Sequence, residues 1–259
     1  MPQPWCIQRY KRPRPKMYAE LFKTREAVLD GLPPGVLGIP SHHLGRYREF
    51  EECFTSLFLP AGSVTAWGKG EGGQTAHNMN NFIREMLHTD TFQWLWVIGD
   101  DHVFSPDIIV QLLKRNKDVV VPLCVRRNFP YIPVVHEDGR DGDWASMPYE
   151  WFKGKKGLVE LKDKLTGNAG MLVRRNVFEA IPDPWYEMGQ IRSEDGAPDL
   201  WFAKKVLNAG FSIYLDMDNP IGHISHTAVW PFLDEETEEW KWEIRQAGDV
   251  FGHRGLSDG

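Results

Sequence analysis

Trp94-Leu95-Trp96-Val97-Ile98-Gly99-Asp100-Asp101-His102 is an apolar run that ends, after one glycine, in two carboxylates and an imidazole. Consecutive apolar residues rich in aromatic and β-branched side chains mark a strand buried on both faces, as in a parallel sheet. Such sheets collect ligands at the C-terminal ends of their strands, which is where the acidic tip falls. Strand alternation places Asp100 and His102 on one side and sends Asp101 to the other, or into the following loop. Asp, Asp and His suit Mn2+ or Mg2+. The competing reading is an Asx turn in which Asp100 or Asp101 caps the next segment.

On the N-terminal side of this run, residues 35–40 (Gly-Val-Leu-Gly-Ile-Pro) read as the first core strand. Residues 46–57 follow with a helical period, and residues 62–67 (Gly-Ser-Val-Thr-Ala-Trp) form a second strand, which makes a β-α-β unit. The glycine-rich stretch 68–73 leads into a helix over 75–87. On the C-terminal side, Ser105-Pro106-Asp107 opens a helix through residue 113, with Pro106 near the first helical position, and 118–122 is a further buried strand. Residues 129–164 are loop-rich and aromatic, an insertion or lid. Regular structure returns in a strand over 170–174, a segment over 176–181, a helix over 198–209 stopped by Gly210, and a strand over 211–215 that runs toward Gly222-His223. The alternation predicts an α/β fold with a mainly parallel sheet flanked by helices on both faces. Residues 1–33 read as an N-terminal arm with a short helix over 17–29, residues 34–232 as the single domain, and residues 233–259 as an acidic helical tail.

The 259 residues are 42% apolar and 25% charged, ordinary for one medium domain or two small ones. A net charge of −6 disfavours indiscriminate polyanion binding, although residues 9–16 are basic and broken by prolines. Cys6, Cys53 and Cys124 are odd in number and widely spaced without a CxxC, the pattern of reduced thiols rather than a disulfide frame. No stretch approaches membrane-helix length and the N-terminus lacks a signal-peptide core, so the expectation is a cytoplasmic protein without membrane insertion.

Three groups carry chemistry: the tip, the acidic loop Ser193-Glu194-Asp195-Gly-Ala-Pro-Asp199 that enters a helix, and His223 just after the last strand. A carboxylate at a helix N-terminus is kept ionised by the dipole, which suits a general base and equally a plain N-cap. His223 alone reads as a hydrogen-bonded structural histidine, with His226 as a competitor; together with the tip and the acidic loop it points to a metal-dependent site.

On these residues the chain resembles the GT-A nucleotide-sugar glycosyltransferases, especially the family-two-like enzymes of phage and environmental sequences, over roughly residues 35–231. The family's nucleotide-binding edge is matched by Ile39-Pro40-Ser41, and its Ala-Arg-Asn helix by Ala76-His77-Asn78, where His77 replaces arginine. Gly99-Asp100-Asp101-His102 stands for the DxD tip. Read as Asp100-x-His102, it resembles the metal site of polypeptide N-acetylgalactosaminyltransferases, with His223 as the later histidine around Mn2+. In the other register Gly99 replaces the first aspartate and Asp101 is the ligand. The resemblance further implies that Arg126 and Arg127 reach the donor diphosphate or the acceptor, and that Gly167 and Asn168 line the donor-sugar pocket. Asp199 matches the family's Glu-Asp helix by its spacing to Gly210, with Pro198 in place of glutamate; the literal pair Glu194-Asp195 is the alternative source of the base.

The expectation from the resemblance is a GT-A (Rossmann-like) domain that uses Mn2+ or Mg2+ to move a sugar from a nucleoside diphosphate sugar to a hydroxyl acceptor. Asp199 serves as base in an inverting displacement, and retention stays open because the Asp-x-His tip resembles that of a retaining family. The acceptor is a glycan or a modified DNA base, the latter with residues 9–16 following phosphates; a phage-encoded enzyme of this kind works in the host cytoplasm. A metal-dependent nucleotidyltransferase or nucleotide hydrolase, and a non-catalytic sugar-binding module, are the rival readings.

Overall fold

Strands that are apolar at every position have no face to offer to water, so they pair in the middle of a sheet and take cover from both sides. The structure, a computed structural model, describes residues 29, 31–40, 46–68, 75–127, 131–137, 144–187 and 197–225, and the backbone of 227–234 and 239–246. In chain order the strands are β1 (Val36–Ile39), β2 (Val64–Trp67), β3 (Trp94–Val97), β4 (His102–Val103), β5 (Val119–Pro122), β6 (Val135–Glu137), β7 (Leu158–Glu160), β8 (Lys164–Thr166), β9 (Met171–Arg174), β10 (Ile213–Asp216), β11 (Gly222–His223), β12 (Thr227–Asp234) and β13 (Glu239–Gln246). The helices are α1 (Arg48–Thr55), α2 (Thr75–Leu87), α3 (Ile108–Lys114), α4 (Tyr149–Phe152), α5 (Arg175–Ala180) and α6 (Pro198–Asn208).

Seven strands form the main sheet in the order β2-β1-β3-β9-β5-β10-β7. β2, β1, β3, β5 and β10 run parallel, while β9 and β7 run against them. β3 shows how one strand serves two faces. Leu95 and Val97 join the core that holds Met79, Phe82, Ile83 and Met86 of α2 and Phe202, Ala203 and Val206 of α6. Trp94 and Trp96 join the opposite core with Phe50 of α1 and Ile108, Ile109, Leu112 and Leu113 of α3. The buried positions of α2 fall at the spacing of one helical face. Trp96 is fully buried and its indole N–H donates to the Gly170 carbonyl at 2.8 Å; truncating it to alanine costs about 3–5 kcal/mol.

Four features depart from the sequence reading. β9 enters antiparallel between β3 and β5, because an apolar run carries no mark of strand direction. α3 starts at Ile108, so Pro106 precedes the helix rather than opening it. Residues 129–164 contain β6, α4, β7 and the first residue of β8, and β7 pairs with β10 at the sheet edge. The segment expected as an acidic helical tail is instead a hairpin in which β12 pairs antiparallel with β13. Its sequence alternates, with Trp240, Trp242 and Ile244 against Glu239, Lys241, Glu243 and Arg245, a period of two that the acidic composition obscured. The helix expected over 17–29 lies outside the described residues except for Leu29.

Candidate active site

The C-terminal ends of β1 and β3 and the loops after β5, β8 and β10 border a pocket of about 390 Å³. Its lining includes Pro40, Gly99, Asp101, His102, Arg127, Gly167, Asn168, Asp199 and His223, and its volume is in the range of small-ligand sites.

At the tip the chain stops behaving as a strand. Residues 100 and 101 form a turn before β4 begins at His102, so the alternation expected through the tip ends. Asp100 is buried and is not part of the pocket lining, while Asp101 is. The Asp101 carboxylate has one oxygen 2.9 Å from His102 Nδ1 and the other 3.1 Å from His223 Nε2. Arg127 Nη1 donates to that second oxygen at 3.1 Å. β11 pairs antiparallel with β4 and sets His223 opposite His102, and the two rings stack with centroids 4.3 Å apart. The backbone carbonyl of Val125 lies 3.0 Å from His223 Nδ1 and accepts its proton bond. That bond fixes the ring's orientation, the usual arrangement behind a metal-binding imidazole. A Cβ at position 99 would lie 2.6 Å from Asp101 Oδ1, so an aspartate there, as in a literal DxD, would displace that carboxylate.

The charges reinforce one another. Burial pushes the Asp101 carboxyl up, but hydrogen bonds and charge from His102 and His223 outweigh it and hold the carboxyl well below its usual range. Burial pushes His223 down, yet Asp101, Cys124 and the Val125 carbonyl raise it to about 10. His102 is likewise raised by Asp101 and Cys124 against its burial. A nitrogen of His102, a nitrogen of His223 and the Cys124 sulfur lie within 4.8 Å of one another. His102 Nε2 is buried with no hydrogen-bond partner among the described residues. Two imidazoles and a thiol with an unpartnered nitrogen among them fit a divalent transition metal.

Asp199 is set differently. It sits in the first turn of α6 after Pro198, where its Oδ1 accepts the Leu200 N–H at 3.0 Å. Burial raises its carboxyl above the usual value, against backbone hydrogen bonds from Leu200, Asn168 and its own N–H. Gly167 leaves room for it, since a Cβ there would lie 2.9 Å from Asp199 Oδ2. Asn168 is held by Tyr186, whose hydroxyl donates to its Oδ1 at 3.0 Å.

Two solved structures share this architecture. A197 from STIV aligns over 80% of this chain and 92% of its own, with 13% identity and a TM-score of 0.51. GalNAc-T7, solved with UDP, GalNAc and Mn2+, aligns over 74% of this chain and 43% of its own, with 12% identity and a TM-score of 0.51. The chain has a GT-A fold. No protein-family profile and no curated protein sequence matches it.

Within the GT-A sheet, the structure brings Pro40, Asp101, His102, Arg127, Gly167, Asn168, Asp199 and His223 to one pocket. It does not bring His77 and Asn78 there. They line a separate cavity beside β2 with Trp67 and Phe82, and His77 Nε2 pairs with the Asn81 amide at 2.9 Å. Arg126 does not line the pocket; its charge helps burial hold His136 down at about 4. Ser41, Glu194, Asp195 and His226 lie outside the described residues. Among the aromatic residues, Trp185 is core, with its indole donating to the Phe178 carbonyl at 2.8 Å. The sequence reading missed Cys124, whose only signal was its place two residues beyond β5 at the same sheet edge.

Proposed function

We propose that this protein is a metal-dependent glycosyltransferase that moves a sugar from a nucleoside diphosphate sugar to a hydroxyl acceptor. The observation that carries the reading is the pairing, in one pocket, of the Asp101–His102–His223 cluster with the isolated carboxylate of Asp199. The reading also draws support from GalNAc-T7, whose structure holds UDP, GalNAc and Mn2+ on the same fold. No helix of the described residues is long and apolar enough to cross a membrane.

Asp101, His102 and His223 would hold the divalent ion. Mn2+ accepts imidazole and carboxylate together, whereas Mg2+ prefers oxygen ligands and is the poorer fit. The bound ion supplies positive charge for the diphosphate as it departs. Arg127, more than half exposed at the rim, adds charge for the same phosphates. Gly167 and Ala169 present little side-chain bulk, which lets the sugar approach the backbone. The acceptor hydroxyl oxygen bonds to the anomeric carbon and gives its proton to Asp199. The bond from that carbon to the diphosphate oxygen breaks, and its electron pair leaves with the nucleoside diphosphate. Attack opposite the leaving group inverts the anomeric centre. A carboxyl whose pKa is raised by its surroundings is the better base near neutrality.

Thermal-shift screening with UDP-, GDP-, CMP- and TDP-sugars, with and without Mn2+, tests the assignment. One nucleotide sugar is expected to stabilise the protein only with the ion present, and NMR of the product fixes its anomer. Release of pyrophosphate without sugar transfer would instead assign a nucleotidyltransferase, and stabilisation by free sugars alone a binding module.

A further inference from the structure

Cys124 is almost fully buried, at 4% exposure, on the loop that follows β5. The same loop supplies the Val125 carbonyl that fixes the His223 ring at 3.0 Å. One short segment therefore places both a sulfur and the bond that orients a neighbouring imidazole. The sulfur and one nitrogen from each of His102 and His223 lie within 4.8 Å of one another. His102 is itself 94% buried, being 6% exposed, and its Nε2 has no partner among the described residues. A ring nitrogen buried without a partner is costly, and a cation that displaces any proton there would satisfy it. Metal–nitrogen bonds of about 2.0–2.1 Å and metal–sulfur bonds of about 2.3 Å would draw these ligand atoms, already within 4.8 Å of one another, closer together.

We infer that Cys124 is a metal ligand beside His102 and His223, and that its thiolate makes the site select Zn2+ or Co2+ over Mg2+. The inference rests on the reading that the two histidines hold a cation. Sulfur ligands favour borderline and soft metals, Mg2+ binds oxygen almost exclusively, and the intrinsic order of affinity places Mn2+ below Co2+ and Zn2+. With three protein ligands, Zn2+ would keep a position open for a diphosphate oxygen.

The test is Co2+ titration of chelator-treated protein, read by absorption. The intact chain is expected to develop an intense near-ultraviolet band from thiolate-to-cobalt charge transfer together with visible cobalt bands. Cys124→Ser, close in size, should keep the visible bands and lose the charge-transfer band. Its Zn2+ affinity should fall on the order of 100-fold, as far as changes around metal ligands reach, with Mg2+ affinity unchanged. His223→Ala should lose both sets of bands. Two competing chemistries need separating, so alkylation of Cys124 is followed by mass spectrometry in a Cys6→Ser, Cys53→Ser background, where Zn2+ should protect the thiol and Mg2+ should not. Visible bands without charge transfer in the intact chain, or equal protection by both ions, would overturn the role of Cys124 and leave the histidine site standing. Absence of any Co2+, Zn2+ or Mn2+ binding would overturn the metal reading as well.

Discussion

Asp101 and Asp199 are two aspartates lining one pocket, and their surroundings drive them in opposite directions. Asp101 is clasped by two imidazoles, which keep it ionised despite burial, and it also pairs with Arg127. Asp199 is enclosed with backbone donors from the described residues around it, and burial outweighs them, so its proton is held more tightly. Identical side chains are thus driven to opposite proton affinities, a separation that follows from the neighbours alone. The cluster around Asp101 is built by strand pairing, through β4 against β11. The setting of Asp199 is built by the start of α6 and a glycine that makes space.

The largest effect should come from Asp101→Asn, which removes the anion and, on the proposed mechanism, the ion that would screen the departing diphosphate. Sugar transfer should fall on the order of 10⁴-fold, the rate equivalent of several kcal/mol. NMR titration of the chelator-treated variant should show His223 titrating well below the value of about 10 that Asp101 supports. Asp199→Asn should lower transfer on the order of 10³-fold, as loss of a general base does, while nucleotide and metal binding measured by calorimetry stay unchanged.

The two variants should also differ in the sign of their stability change. The folded-state pKa of Asp101 is depressed, so its ionised form contributes stability above the unfolded carboxylate pKa, which is lost only as pH falls toward the folded value; Asp101→Asn should lower Tm at neutral pH. The folded-state pKa of Asp199 is raised, so ionising it costs stability as pH rises through the window above the unfolded value. Asp199→Asn should therefore raise Tm at neutral pH, and the gain should vanish near about pH 4, where both carboxyl and amide are neutral. Melting curves across that pH range check both signs. Gly167→Ala should press on Asp199 from 2.9 Å and lower kcat by about 10²-fold, the penalty of a misplaced catalytic group. Arg127→Ala should have the smallest effect, raising the donor KM by about fivefold with kcat preserved, because an exposed ion pair is worth about 1 kcal/mol or less.

Much of the frame could be read from residues alone. The β3 run and its acidic tip located the sheet edge, Thr75–Leu87 was legible as a helix, and Gly210 marked where α6 stops. What eluded sequence was whatever depends on how separate segments meet. The turn at residues 100–101 brings Asp101 rather than Asp100 to the pocket, a choice of register the letters left open, since strand alternation cannot announce where a strand ends. Cys124 looked like an ordinary buried thiol because its partners, His102 and His223, are brought to it only by the pairing of β4 with β11. His77 and Asn78 sat at the right place in the motif, but α2 carries them to the cavity beside β2. In the C-terminal hairpin, charge count concealed an alternation that was present in the letters.

The central claim is that Asp101, His102 and His223 seat a divalent cation facing a nucleoside diphosphate. Diffraction at the manganese absorption edge from crystals soaked with Mn2+ and UDP tests it directly. The account predicts an anomalous peak among these three side chains with the diphosphate density against it and Asp199 across the same pocket. Diphosphate density in the pocket with no anomalous peak beside His102 and His223 would contradict it.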